Sequence, residues 1–369
     1  MDEIVGYRPE FKGQIARLQR HLWGGDEALN TAYFEWKYER NPYLPAPLVS
    51  LVLSDGSLVG MRGMFGSCWE VGPERFVVPC GDDLVIAPEH RRRGLLGRIL
   101  DATIAELAAR GHPLTFSTSA GVVAMAAALG RGWRSAGSVR DVTRGGGGAA
   151  SLAWGLARRA RTWPGMRHLA RAASQVRRPP FEHLDAAARR TAGGGAVWCA
   201  DAPPVDAMAE LVRRLGHDGR IRHVRDAPYL GWKLANPLHD YRVLLAGGGG
   251  LDGYLVLQAY RVTAAARVNV VDWEGTSPSV RRALLETAIE WGRFGTLGTW
   301  TMSLSRDAHA LLTELGFGPV PRHPLLPQGT ALLVRGVTAA PPETALMLGD
   351  RRVLDAASWD MRMLYSMAG

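Results

Sequence analysis

The sequence predicts a mixed α/β layered protein in which one fold occurs twice. Two observations carry this. First, Asn-Pro closes a helical aromatic stretch at two places, Trp36-Lys37-Tyr38-Glu39-Arg40-Asn41-Pro42 and Trp232-Lys233-Leu234-Ala235-Asn236-Pro237, with the tryptophans 196 positions apart. Each stretch is followed by an apolar strand, a Gly-rich turn and a second strand with glycine near its start, which sets Gly60 and Gly253 193 apart. Second, the flanking elements recur in the same order. Ile15, Leu18 and Leu22 match Met208, Leu211 and Leu215, again at 193, and Leu129-Gly130-Arg131-Gly132 matches Leu315-Gly316-Phe317-Gly318 at 186. Collinear matches with small shifts indicate a duplicated domain.

Within the first copy the hydrophobic pattern predicts a strand over 4–7 and helices over 10–22 and 31–40, then a hairpin over 48–65. A strand pair, 67–71 and 76–86, turns at Gly72-Pro73. A helix over 94–110 stops at Gly111; a strand over 114–117, a helix over 122–129 and closing strands near 138–143 follow. The second copy repeats this order over 196–334, and its long helix starts at Ser277-Pro278, a capping residue with proline in the first turn. The domains expected are therefore 1–143, a connecting segment over 144–194, a second copy over 195–335 and a tail over 336–369.

Composition bounds the function. At 369 residues, 47% hydrophobic and 21% charged, the chain is of ordinary globular type. No apolar stretch is long enough to cross a bilayer, and the start has no secretory signal pattern. Three dispersed cysteines, Cys68, Cys80 and Cys199, make no disulfide framework. A cytoplasmic location is expected. The net charge of +9 does not indicate nucleic acid, because residues 151–190 hold nine arginines against Glu182 and Asp185, which accounts for +7 of it. That basic segment, broken at Pro164 and stopped by Pro179-Pro180, reads as a solvated linker or as a docking surface for an acidic partner. There is no Walker A loop, no His-Glu-x-x-His, no Cys-x-x-Cys and no Gly-x-Ser-x-Gly, so no metal is expected.

The segment that carries chemistry is Leu84-Val85-Ile86-Ala87-Pro88-Glu89-His90-Arg91-Arg92-Arg93-Gly94-Leu95-Leu96-Gly97. A β-rich run stops at proline, a basic turn follows, and glycine opens a long helix. Free amides at a helix N-terminus, the helix dipole and arginine forks together make an anion site. On these residues the chain resembles the GNAT superfamily of acyl-CoA-dependent N-acetyltransferases, whose signature places Arg/Gln-x-x-Gly-x-Gly/Ala after a strand. Arg91 to Leu96 fits except that Leu96 stands where the family has a small residue, and Arg-Arg-Arg-Gly-Leu-Leu looks like the variant of Eis-type multi-GNAT enzymes. The resemblance covers both halves, so the expected architecture is two tandem GNAT-like domains. The second copy offers Trp273-Glu274-Gly275-Thr276-Ser277-Pro278-Ser279 at the corresponding place and lacks the motif, so it is expected to be degenerate.

The resemblance implies an acyl-CoA co-substrate, acetyl-CoA by default, and a primary amine of a small molecule or peptide as acceptor. The pyrophosphate would lie on Arg91, Arg92, Arg93, Gly94, Leu95, Leu96 and Gly97. Pantetheine would run beside Val85 and Ile86, whose amides would serve the thioester carbonyl, and the strand holding Ser117 would splay away to open the slot. Asp82 and Asp83 alternate sides of their strand, so one of them is expected to face the cleft, with Asp83 the candidate general base. Glu35, Glu39, Glu70 and the carboxylate of Gly369 are alternatives. The acid-supplying tyrosine of many relatives is absent from 125–133, which leaves Ser117, Ser119, Tyr33 or Tyr38, or unassisted departure of the thiolate. Trp36 and Tyr38 line the acceptor pocket or pack in the core. Two other readings stand beside this one: an enzyme that takes a longer chain from an acyl carrier protein docked on the linker, and a non-catalytic acyl-CoA-binding module.

Overall fold

The computed structural model describes residues 2–139, 141–145, 181, 190–192, 195–261, 267–291, 294–302, 304–320, 331–337 and 346–367. The basic segment lies almost entirely outside these residues, as does Gly369.

In the first half β1 (Asp2–Gly6) is followed by three short helices, α1 (Lys12–Leu18), α2 (Arg20–Trp23) and α3 (Glu27–Phe34). Asp26 caps α3 by accepting from the Leu29 amide, so this helix starts four residues before the predicted one. It continues as a π-helical turn over Glu35–Glu39, which faces Lys37 and Tyr38 inward. Then come β2 (Leu48–Ser54), β3 (Ser57–Val71) and β4 (Glu74–Ile86), long antiparallel neighbours. Next are α4 (Leu95–Ala109), β5 (Leu114–Ser117), α5 (Val122–Leu129), β6 (Arg134–Ser138) and β7 (Asp141–Gly145).

The second half repeats the order. It contains β8 (Arg190–Ala192), β9 (Gly195–Cys199), α6 (Val205–Leu215), β10 (Ile221–His223), α7 (Ala227–Leu234), β11 (His239–Gly247), β12 (Leu251–Tyr260) and β13 (Arg267–Gly275). After these stand α8 (Pro278–Trp291), β14 (Thr296–Trp300), α9 (Arg306–Glu314), β15 (Gly318–Pro319), β16 (Ala331–Gly336) and the short β17 (Met347–Leu348), β18 (Arg351–Arg352) and β19 (Trp359–Asp360).

The halves exchange strands. One sheet runs β1-β2-β3-β4-β5-β16-β6, and the other runs β15-β7-β14-β13-β12-β11-β9-β8. β16 from the second half fills the gap between β5 and β6, and β7 from the first half fills the equivalent gap between β14 and β15. The duplication also appears at the contact between halves. Trp36 and Trp232, 196 apart, stack face to face with ring centroids 4.6 Å apart and 11° between planes. Each indole Nε1–H donates to the other residue's carbonyl, at 2.6 and 2.8 Å. Such reciprocity is the mark of a twofold relation between like elements. Trp36 is therefore a packing residue between the halves rather than a pocket lining.

One hydrophobic core runs through both halves and includes Tyr33, Trp36, Trp69, Phe116, Tyr229 and Trp359. The stretch 346–367, a tail by sequence, is built into it: Trp359 packs edge-on against Trp69 and Phe116, and β19 joins the first sheet through β10. A separate core lies between α4, α5 and the first sheet, with Leu48, Ile104, Leu107 and Leu333.

Candidate active site

The basic turn is shaped as its sequence suggests. Pro88–His90 is a single 3-10 turn, Arg92 has φ +62°, and Gly94, the N-cap of α4, has φ +75°. The left-handed conformation is inexpensive only for glycine at position 94. Backbone that alternates hand in this way turns successive amides to one side, a concave anion nest. The amides of Gly97 and Arg98 return to Gly94 O, whereas those of Arg92 through Leu96 donate to no carbonyl among the described residues. Arg91, Arg92 and Arg93 are exposed; Arg91 Nε donates to Ile86 O and Arg93 leans on His90. Gly97 lets a further arginine in, since a Cβ there would collide with Arg131 Nη2. In the second half Thr276 N–H donates to Asp252 O, Val280 N–H to Ser277 Oγ, and Pro278 has no N–H. That turn has little left to offer an anion.

Behind the nest, β4 and β5 form a V. They pair in parallel only at Cys80–Phe116 and diverge beyond it. Ser117 Oγ donates to Gly81 O at 3.0 Å near the crotch. Between the diverging strands and α4 and α5 lies a narrow slot, open at its mouth, with a cavity volume of about 10 Å³, room for about one water. Leu84, Leu100, Ala124 and Leu333 wall it, with Arg62, Ser117 and Trp133 as its polar lining. Val85 and Ile86 are buried on the stretch of β4 that leads from the slot to the nest.

The two aspartates depart from simple alternation. Met61 pairs with Val85 and Gly63 with Asp82, so Arg62 alone opposes Asp83 and Leu84, which makes a β-bulge. Asp83 has φ +49°, a strained conformation for a residue with a Cβ. The bulge breaks the two-residue period and turns both carboxylates toward the helices α1–α3. There Lys37 Nζ meets Asp82 Oδ2 at 2.7 Å and Asp83 Oδ1 at 3.2 Å. The expectation that only one aspartate faces inward is thus corrected: alternation holds for a regular ladder, and this ladder has an extra residue. Lys37 also donates to Tyr33 Oη at 2.9 Å and lies over the rings of Trp23, Tyr33, Tyr38 and Phe65. Tyr38 Oη donates to Asp83 Oδ2 at 2.8 Å, and Gly63 admits that hydroxyl, because any Cβ there would overlap it. Gln19 completes the surroundings of Asp83 at 3.4 Å. Ser119 Oγ also donates to Asp82 Oδ1, at 2.6 Å.

Burial works to raise both carboxyls, and the outcome differs between them. For Asp82 the Lys37 ammonium, with hydrogen bonds from Lys37 and Ser119, outweighs burial and holds the carboxyl below its ordinary value. For Asp83, burial and the neighbouring Asp82 charge outweigh Lys37 and Tyr38, and the carboxyl is raised. Two titratable groups pushed apart by their surroundings are the arrangement acid–base chemistry uses. Burial and both aspartates raise Tyr38 well above the usual phenol, so it stays a hydrogen-bond donor.

The remaining sequence candidates lie elsewhere. Glu35 and Glu39 pair with Lys12 at the surface, and Glu70 pairs with Arg222 at 2.6 Å. In the second half, the aspartate next to the corresponding bulge, Asp272, is held by Arg225 and Arg362, and Tyr254 donates to it at 2.7 Å. This carboxylate is fully engaged. Sequence reasoning missed Lys37, although its repeat partner Lys233 and the scarcity of lysine, three in the chain, set it apart. Among the described residues no group of three or more His, Cys, Asp or Glu could hold a metal, and no helix is long and apolar enough to cross a membrane.

Comparison with known proteins agrees with this geometry. Residues 7–134 match the family profile described as acetyltransferase (GNAT) domain. No curated protein sequence matches the chain. Among solved structures, a conserved protein of Enterococcus faecalis V583 described as a probable N-acyltransferase has TM-score 0.58 at 12% identity, over 91% of this chain and 73% of that one. A GCN5-related N-acetyltransferase from Kribbella flavida has TM-score 0.56 at 15% identity, over 91% and 72%. A tandem GNAT protein from the clavulanic acid biosynthesis pathway has TM-score 0.53 at 13% identity, over 92% of this chain and all of that one. Residues 7–134 thus match an acetyltransferase (GNAT) domain, and the chain as a whole has the fold of a tandem GNAT protein.

Proposed function

We propose that the protein transfers an acyl group from acyl-CoA to a primary amine of a small molecule or peptide, with acetyl-CoA the simplest donor. The observation that carries this is the open V between β4 and β5 with an unused amide nest at its mouth. The residues present fit the coenzyme. The amides of Arg92 to Leu96 and the side chains of Arg91, Arg92 and Arg93 would hold the pyrophosphate, and β4 from Leu84 to Ile86 offers its edge to the pantetheine amides. When bound, the coenzyme supplies an activated thioester. The division into a donor-binding domain over 1–143, a linker over 144–194, a degenerate domain over 195–335 and a tail over 336–369 belongs to this proposal, with the exchanged strands tying the two domains together.

This chain's own residues would then manage protons. The side chain of Asp83 is fully buried, so the path to it begins at the half-buried Ser119. As the amine nitrogen bonds to the acyl carbon and the C–S bond breaks, the nitrogen would give its proton to Ser119 Oγ while Ser119 passes its own to Asp82, and the coenzyme would leave as the thiolate. Lys37, bridging both aspartates, then hands one on to Asp83, whose raised affinity makes it the resting place. Asp83 is thereby the base of the relay and Ser119 its entrance. A carrier-borne donor is the second reading, favoured by the +7 charge over 151–190.

Thiol release from acetyl-CoA in the presence of a panel of amines tests the proposal, beside calorimetric binding of coenzyme A. Binding with amine-dependent release is expected. Binding without release from any amine would leave the non-catalytic module, and acetyl-CoA turnover that survives neutralising Arg158, Arg159 and Arg161 would count against the carrier.

A further inference from the structure

The lining of the slot contains something the transfer of an acetyl group does not use. Arg62, on β3, reaches across Gly81 to the crotch of the V, where a Cβ would collide with its Nη2. It is only 7% exposed and is the one charged residue lining the slot. Among the described residues it makes a single long hydrogen bond, from Nη1 to Asp82 O at 3.4 Å. The Asp82 side chain is turned to the other face of the sheet, where Lys37 and Ser119 hold it. Most of the guanidinium's five donors therefore have no partner. A second donor stands in the same lining: Trp133, 4% exposed, has an indole Nε1–H that meets no acceptor. The other walls are apolar, with Leu84, Leu100, Ala124 and Leu333.

A buried donor without an acceptor, as at Trp133, is costly, and the guanidinium's open donors lie in the same lining. Burial accordingly lowers Arg62 from its ordinary value, against the pull of Asp82. β4 runs from its pairing with β5 at Cys80 past Leu84, which lines the slot, to the nest, so the acyl end of a donor held by its pyrophosphate and laid along β4 is the part that comes toward Arg62. An acetyl group ends in a methyl and offers these donors nothing. A carboxylate there would accept a planar fork from Arg62 and a further bond from Trp133, inside an apolar wall that strengthens both.

We propose that the donor is a coenzyme A thioester whose acyl group ends in a carboxylate, of the malonyl or succinyl type, and that Arg62 is the residue that selects it. This rests on the donor-binding reading above. The test is calorimetric titration of the full chain with coenzyme A, acetyl-CoA, malonyl-CoA and succinyl-CoA. At least one of the two acidic thioesters should bind about ten- to a hundredfold tighter than acetyl-CoA, the scale of a charge-assisted hydrogen bond. Arg62→Met should abolish that preference, and Trp133→Phe should reduce it. Equal affinities for the three thioesters in the unmodified protein would overturn the inference, whether or not the variants fold. So would Arg62→Met weakening all of them alike, the behaviour of a contact to the pantetheine arm. Failure of coenzyme A itself to bind would overturn the donor reading, a different result from binding without discrimination.

Discussion

Replacing Lys37 by methionine tests the buried charge cluster most directly. Methionine keeps the length and the packing against Trp23, Tyr33, Tyr38 and Phe65, and removes only the charge and its donors. The side chains of Lys37 and Asp83 are fully buried, and that of Asp82 is 7% exposed. Breaking such a pair strands the carboxylates in the interior, at a cost of about 3–5 kcal/mol. That is a large part of a typical total of roughly 5–15 kcal/mol. The pH dependence sharpens the test. In the unmodified protein Asp82 is held below its ordinary value, so its stabilisation is present above about pH 4 and lost as pH falls through its folded value. Asp83 is raised, so its contribution has the opposite sign, full below about pH 4 and lost as pH rises through its folded value. Without Lys37 both carboxyls follow the second pattern. Urea unfolding of Lys37→Met against the parent should show the largest deficit at pH 7–8 and a shrinking one toward pH 5. A deficit below about 1 kcal/mol, or one unchanged over that range, would refute the cluster described here.

Other consequences follow from the same geometry. The Trp36–Trp232 stack should show in a double-mutant cycle with alanine: each single change costs about 3 kcal/mol and the pair falls short of additivity by roughly 1 kcal/mol or more, read by thermal unfolding. His223, buried with Nε2 accepting from the Cys68 amide and Nδ1 paired with Val224 O, is pushed down to about 3 by burial. Stability should thus be complete above about pH 6.5 and decline as pH falls toward 3, and His223→Gln should flatten that decline in acid titration followed by fluorescence. At the nest, Arg92→Glu should weaken coenzyme A binding by about tenfold or more while leaving the unfolding midpoint within about 0.5 kcal/mol of the parent, since the side chain is exposed.

Of the candidate site, the nest was legible in the sequence and the carboxylate cluster was not. The turn at 88–97 is contiguous: a proline stop, basic residues and a glycine with positive φ are local properties, and a helix start follows from them wherever the chain goes next. The duplication was legible for a related reason. Trp36 and Trp232 are the same residue of the same local motif, and stacking across a twofold relation needs no further specification. The Asp82–Asp83 arrangement depends instead on a bulge whose position is set by pairing with β3 and by the charge of Lys37, 45 residues away. Alternation, the rule available from sequence, describes only a regular strand.

The sequence by itself determined the two-copy α/β architecture and the place of the anion turn, because periodicity and turn chemistry are written in neighbouring residues. The tertiary structure alone decided how the halves are joined. β7 and β16 exchange sheets, and the stretch 346–367 enters the shared core with Trp359 and Tyr365. It also decided that Arg62, one arginine among 41 in the chain, is the one that lines the slot. Strand partnership and the burial of one charge among many are settled by the packing of distant segments, and the energy that selects them appears only when those segments meet.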